Sequence, residues 1–224
     1  ALRTVAAPNF ELPRVSPPTA AEIPALRQAI LDMKSLSETS DQGFAAALQP
    51  LAQAYAGWIH DLEASLDAEA VDLEPFKASA QHAIEVCRQN LKRIRAGIDL
   101  LGQNPQAAEA FRFANRSMWL QRVHTLYTEA LRRGAPIALE ALDVPQNCTW
   151  YPFQLAFILL NLPSLADPLH PERSHPTEAI ADVLWYPTGG GKTEAYLGLT
   201  AFTMGLRRLQ GQVGDCDGSA GVAV

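Results

Sequence analysis

Apolar positions recur at helical spacing from about residue 19 onward. Leu26, Ile30 and Met33 fall on one face of a first helix, and residues 35–40 read as the loop after it. Asp41 suits the N-cap of a second helix that carries Phe44, Leu48, Leu51, Tyr55, Trp58, Ile59 and Leu62, with Pro50 expected to kink or split it. Pro75 fits the first turn of a third helix, and Asp72 and Glu74 favour its positive end. The seam of that helix is Ile84, Cys87, Leu91, Ile94, Ile98 and Leu101, and Gly102 closes it. Pro105 opens a fourth helix through Phe111, Ala114, Met118, Arg122 and Leu126, ending at Gly134. Residues 1–19 hold Pro8, Pro13, Pro17 and Pro18 without a helical period, so they read as an extended arm. Residues 20–143 read as an α-helical accessory domain with no internal repeat.

After Cys148 the texture changes. Trp150, Tyr151, Pro152, Phe153 and Gln154 lead into a short apolar helix over 155–162. Residues 167–176, rich in Pro and His, read as a loop, and 181–186 as a buried strand. A glycine turn follows over 189–193, then a helix over 194–209, a Gly-rich loop over 210–220 and a second strand from Val222. Strand, turn, helix, loop and strand make one βαβ unit, so 144–224 is expected to be the first part of a parallel α/β domain.

The glycine turn carries the chemistry. Pro187, Thr188, Gly189, Gly190, Gly191, Lys192 and Thr193 follow the phosphate-loop pattern GxxxxGKS or GxxxxGKT, with Tyr186 departing from it at the first glycine position. A phosphate chain needs several backbone N–H groups converging on it, and successive glycines allow that curl because no Cβ blocks the approach. The helix that follows offers its positive N-terminus. Lys192 is expected to reach the β- and γ-phosphates of ATP, and the Thr193 hydroxyl to bind Mg²⁺. Upstream, the Gln154 amide offers one donor and one acceptor, which match adenine N6 and N7, and Tyr151, Phe153 or Trp150 can stack on the base.

Composition narrows the classes. The chain is 48% hydrophobic and 19% charged, enough for a packed core, which excludes wholesale disorder. A net charge of −6 argues against a basic nucleic-acid coat protein but allows a local basic groove. Cys87, Cys148 and Cys216 lie far apart and form no CxxC pair, pointing to a reducing, cytoplasmic setting without structural zinc. The longest apolar run, 155–165, is interrupted and too short to cross a bilayer, so no membrane partner is expected. The chain begins Ala-Leu-Arg-Thr and ends on a β-type run, and both ends read as cuts in a longer sequence.

Other residues offer weaker chemistry. Arg88, Lys92 and Arg95 share one face of the third helix beside Arg93, and Arg112, Arg116 and Arg122 lie on the fourth. They could line a DNA path, but a solvated face is the commoner role for such charges. Arg112, Asn115 and Arg116 are alternatively structural contacts. His170 and His175 read as surface histidines, Leu184 and Trp185 as sheet core, and Asp215 and Asp217 as a solvated loop.

Together these motifs resemble superfamily 2 helicases and translocases. Tyr-Pro-Phe-Gln154 is similar to the Q-type motif, and Tyr-Pro-Thr-Gly-Gly-Gly-Lys-Thr193 to motif I. The longer run over 184–198, with 110–118 and 153–162, resembles the helicase component of DISARM-type bacterial anti-phage defence. The resemblance implies an α-helical N-terminal domain followed by a partial α/β RecA-like P-loop domain, its parallel sheet truncated before motif II. It implies an ATP-hydrolysing motor with two lobes, ATP and Mg²⁺ between them, a nucleic-acid substrate (DNA rather than RNA) and defence-system partner proteins. Motif II and the second lobe are not in these residues, so this chain alone is not expected to hydrolyse ATP efficiently. The alternative is a P-loop ATPase or nucleotide-gated switch with a helical protein-interaction domain and no translocation. A purely structural helical adaptor is a third reading.

Overall fold

The computed structural model describes residues 16–68, 74–185 and 190–217. Within them the chain is built almost wholly from helices. A 3₁₀ turn, Pro24–Gln28, is followed by α1 (Met33–Glu38) and α2 (Gly43–Ala68). Then come α3 (Lys77–Gln103), α4 (Pro105–Arg132), α5 (Pro152–Ala166), the short α6 (Pro171–Ser174) and α7 (Lys192–Gln210). A hairpin of β1 (Gln212–Val213) and β2 (Cys216–Asp217) follows, antiparallel, with Gln212 opposite Asp217 and Val213 opposite Cys216.

The start of the helical region differs from its periodicity. Leu26, Ile30 and Met33 do not share one helix: the 3₁₀ turn ends at Gln28, and the backbone at Asp32 bridges to Thr149. The residues expected to form a loop at 35–40 instead hold most of α1, because Asp32 Oδ1 accepts from Ser35 N at 2.7 Å and starts a helix there. Ser40 Oγ accepts from Gly43 N at the start of α2, while Asp41 is turned to Arg112. Helix α2 runs unbroken through Pro50. Asn104 ends α3 and caps α4, its Oδ1 accepting from Gln106 N and Ala107 N at 3.0 Å each.

The expected parallel sheet is overturned. Among the described residues the antiparallel hairpin is the sole strand pairing, so no RecA-like parallel sheet is present. Residues 181–185 form no strand; Val183 is 85% and Trp185 79% exposed, so Trp185 is not sheet core, and Leu184 alone of that run packs on the core. A strand's hydrogen bonds must come from a neighbouring segment, and no described segment lies alongside this run to supply them. The strand expected from Val222 lies outside the described residues.

One apolar core runs through the described helices from Leu26 to Leu206. Helix α2 packs along α3, α3 against α5, α1 against α4, and α7 against both α4 and α5. Two glycines permit the closest approaches. At Gly97 a Cβ would lie 2.0 Å from the Leu159 carbonyl oxygen, so α3 and α5 cross backbone to backbone. At Gly198 a Cβ would meet the Trp150 ring at 2.8 Å, so the indole lies directly on α7. Trp150 is fully buried; its Nε1 donates to Asn115 Oδ1 at 2.8 Å, and Asn115 Nδ2 donates to the Phe111 carbonyl at 2.8 Å. This chain of bonds satisfies the one polar group on a large buried ring and ties the start of α5 to α4.

Candidate nucleotide-phosphate site

The glycine turn meets the helical core at the N-terminus of α7. Gly191 is the N-cap, with φ of 89° and ψ of 20°, a left-handed conformation that L side chains rarely adopt. Lys192 and Thr193 are the first two residues of α7, Lys192 partly buried and Thr193 exposed. Pro187, Thr188 and Gly189, with Tyr186 before them, lie outside the described residues, while Gly190 is partly buried beside Gly191. Glu194 is in the first turn, where its carboxylate faces the positive end of the helix.

Gln154 is brought to this turn, but its amide is already engaged. It sits three residues into α5, 3% exposed. Its Oε1 accepts from Tyr151 N at 2.8 Å, which caps α5, and its Nε2 donates to the Gly191 carbonyl at 2.6 Å. A Cβ on Gly191 would stand 2.6 Å from that Nε2 and 3.5 Å from the Tyr151 ring. In this structure Gln154 is therefore the clamp between the two motifs that the sequence singles out. Of the three aromatic candidates beside it, Trp150 belongs to the core. Tyr151 and Phe153 stack with centroids 6.0 Å apart and planes 16° from parallel, and Tyr151 is about half exposed next to Gly191.

The basic residues separate into two groups. Arg93 is almost wholly covered: NH1 and NH2 donate to the two oxygens of Asp182 at 2.7 and 2.6 Å, and Nε donates to Glu172 at 2.9 Å. The Asp182 bond holds the guanidinium more firmly protonated than usual, against the opposing effect of burial. Arg112 bridges α4 to the α1–α2 connection through Asp41 at 2.6 Å and the Thr39 carbonyl at 3.2 Å, and also pairs with Glu109. Arg122 donates to the Asn147 carbonyl at 3.3 Å. Arg88 pairs with Glu63 and Glu85 on the surface, and Lys92, Arg95 and Arg116 are exposed. At about 100° per residue position 93 lies off the seam of Ile84, Leu91, Ile94, Ile98 and Leu101, so the sequence grouped Arg93 with the basic stretch around it and carried no signal of its covered partners.

His170 Nδ1 accepts from Glu172 N, and His175 Nδ1 accepts from Glu178 N. Among the described residues no group of three or more His, Cys, Asp or Glu could hold a metal ion. Cys87 and Cys148 are free thiols, and burial raises the pKa of Cys148. No described helix is long and apolar enough to cross a membrane. A hollow of about 360 Å³ on α4, lined by Gln121, His124 and Arg132 among others, shares no residue with the glycine turn.

The site thus defines a helical protein that presents a left-handed glycine, a lysine and a threonine at a helix N-terminus. No protein-family profile matches the chain. It is similar to a curated bacterial sequence, the DISARM protein DrmA of Bacillus paralicheniformis, with 40% identity over 187 residues. That match covers 82% of the chain and 15% of the relative's length. The chain is therefore related to a DISARM protein across most of its own length, while spanning a small part of that relative.

Proposed function

We propose that the chain is the ATP-binding N-terminal portion of a DNA helicase or translocase that serves bacterial anti-phage defence. The observation that carries the reading is Gly191, left-handed and without room for a side chain, placing Lys192 and Thr193 at the start of α7. The residues present suit a nucleoside triphosphate. A bare backbone lets phosphate oxygens approach closely, the N-terminus of α7 presents the positive end of the helix dipole, and a cation and a hydroxyl follow immediately. Lys192 would bind the β- and γ-phosphates, Gly189, Gly190 and Gly191 would cradle them after Pro187 and Thr188, and Thr193 would hold Mg²⁺. The bound metal ion would supply charge neutralisation on the transferring phosphoryl group. Gln154 would take part in adenine selection only by giving up its bond to Gly191, whereas Tyr151 already offers a half-exposed ring beside the turn. Similarity to a DISARM protein supports the defence setting.

The test is ATP turnover by the intact protein with and without DNA. Stimulation by DNA that disappears in Lys192→Ala is the expected result. Turnover without any response to DNA would replace the motor with a nucleotide-gated switch, and DNA-stimulated turnover unchanged in Lys192→Ala would overturn the assignment of the phosphate loop.

A further inference from the structure

The described residues before and after positions 186–189 are held by different helices. Downstream, Gln154 of α5 binds the Gly191 carbonyl. Upstream, residues 175–185 contain no helix or strand, and Ile180 N donates to the Glu172 carbonyl at 2.8 Å. What fixes this stretch laterally is Arg93 of α3. Its side chain is 10% exposed, and its partners Asp182 and Glu172 are 20% and 23% exposed. A guanidinium gripping both oxygens of one carboxylate sets orientation as well as distance, because the two planar groups must lie edge to edge. The third bond, from Nε to Glu172, ties α6 to the same fork. Two carboxylates ten positions apart therefore converge on one buried cation, immediately before the residues of the turn.

We propose that Arg93 is a positioning residue for the phosphate loop. By holding Asp182 and Glu172 against α3, it sets the upstream anchor of the turn and couples the nucleotide site to the helical region. The role rests on reading 187–193 as a phosphate loop. Arg93 does not contact nucleotide; it acts through Asp182, and loss of the fork leaves the approach to the loop to be ordered at the expense of binding.

The test uses the intact protein with Arg93→Lys, which keeps the charge but cannot form the fork, and Asp182→Asn, which keeps the shape but removes the ion pair. Two measurements are needed: amide hydrogen exchange over 176–185 without nucleotide, and steady-state ATP turnover. Exchange in that segment is expected to rise by roughly tenfold or more, with protection in α4 and α7 retained. KM for ATP is expected to rise by about tenfold with kcat within about twofold of the parent. A merely structural role would lower the melting temperature without splitting KM from kcat. Unchanged exchange in both variants, or faster exchange with an unchanged KM, would overturn the role of Arg93. If the parent protein neither binds nor turns over ATP, the phosphate-loop reading fails and the positioning role with it, a result distinct from parent-like turnover in both variants. Should Arg93→Lys fail to fold, Asp182→Asn decides.

Discussion

Gly191 is under the tightest constraint in the candidate site. Replacing it with Ala puts a side chain on a left-handed backbone and drives a Cβ to 2.6 Å from Gln154 Nε2. The backbone cost alone is about 1–2 kcal/mol, and the clamp must also open. Gly191→Ala is expected to lower the melting temperature and to abolish binding in a titration with a fluorescent ATP analogue. A second single-residue prediction concerns acid stability. The Lys34 ammonium, 2.8 Å from Asp143, and the Trp119 indole N–H, at 2.7 Å, hold the Asp143 carboxyl below its ordinary value of 3.8. A depressed folded value means that this stabilisation is complete above the unfolded pKa and is lost as pH falls through the folded one. Asp143→Asn should therefore flatten the fall of melting temperature as pH drops into and below the ordinary carboxylate range. At this scale the glycine turn was legible because three glycines before Lys and Thr state a local backbone requirement. The partners of Gln154 and Arg93 were not, since they lie 37 and 89 positions away along the chain.

Close helix crossings govern stability at the scale of elements, and α3 allows a paired test. Gly97→Ala would place a Cβ 2.0 Å from the Leu159 carbonyl oxygen and force α3 from α5. Overpacking of this kind costs about 1–3 kcal/mol. Gly102 lies in the same helix with nothing within 4 Å of its Cβ position. Gly102→Ala should instead stabilise by about 0.5–1 kcal/mol, because Ala loses less backbone freedom on folding. Denaturant midpoints of the two variants should move in opposite directions; movement in the same direction would contradict the crossing. The long helices were legible from their seams: Ile84, Leu91, Ile94, Ile98 and Leu101 are all buried as their spacing required. The first helix was misplaced because Leu26 in the 3₁₀ turn and Met33 at the start of α1 are buried in one core from two separate elements, while Ile30 between them is exposed.

For the whole molecule, the continuous core is decisive. Phe202 on α7 is fully buried in the same cluster as Phe44 and Phe111, which pack edge to face at 5.3 Å. Phe202→Ala should cost about 3–5 kcal/mol. Unfolding should remain a single transition, with helix loss by circular dichroism and tryptophan fluorescence sharing one midpoint. Two separated midpoints would show that α7 and the helices before it do not share one cooperative core. By itself, the sequence determined whatever is settled within a few residues: the period of the long helices, the start of α4 at Pro105, and the glycine turn with its lysine and threonine. A helix satisfies its own backbone, so its signal is carried within the segment. The tertiary structure alone decided the rest. An apolar run over 181–185 becomes a strand only beside another strand, and here it is held instead by a buried arginine. The same dependence on distant partners made Gln154 a clamp on Gly191 and Trp150 a wedge against Gly198.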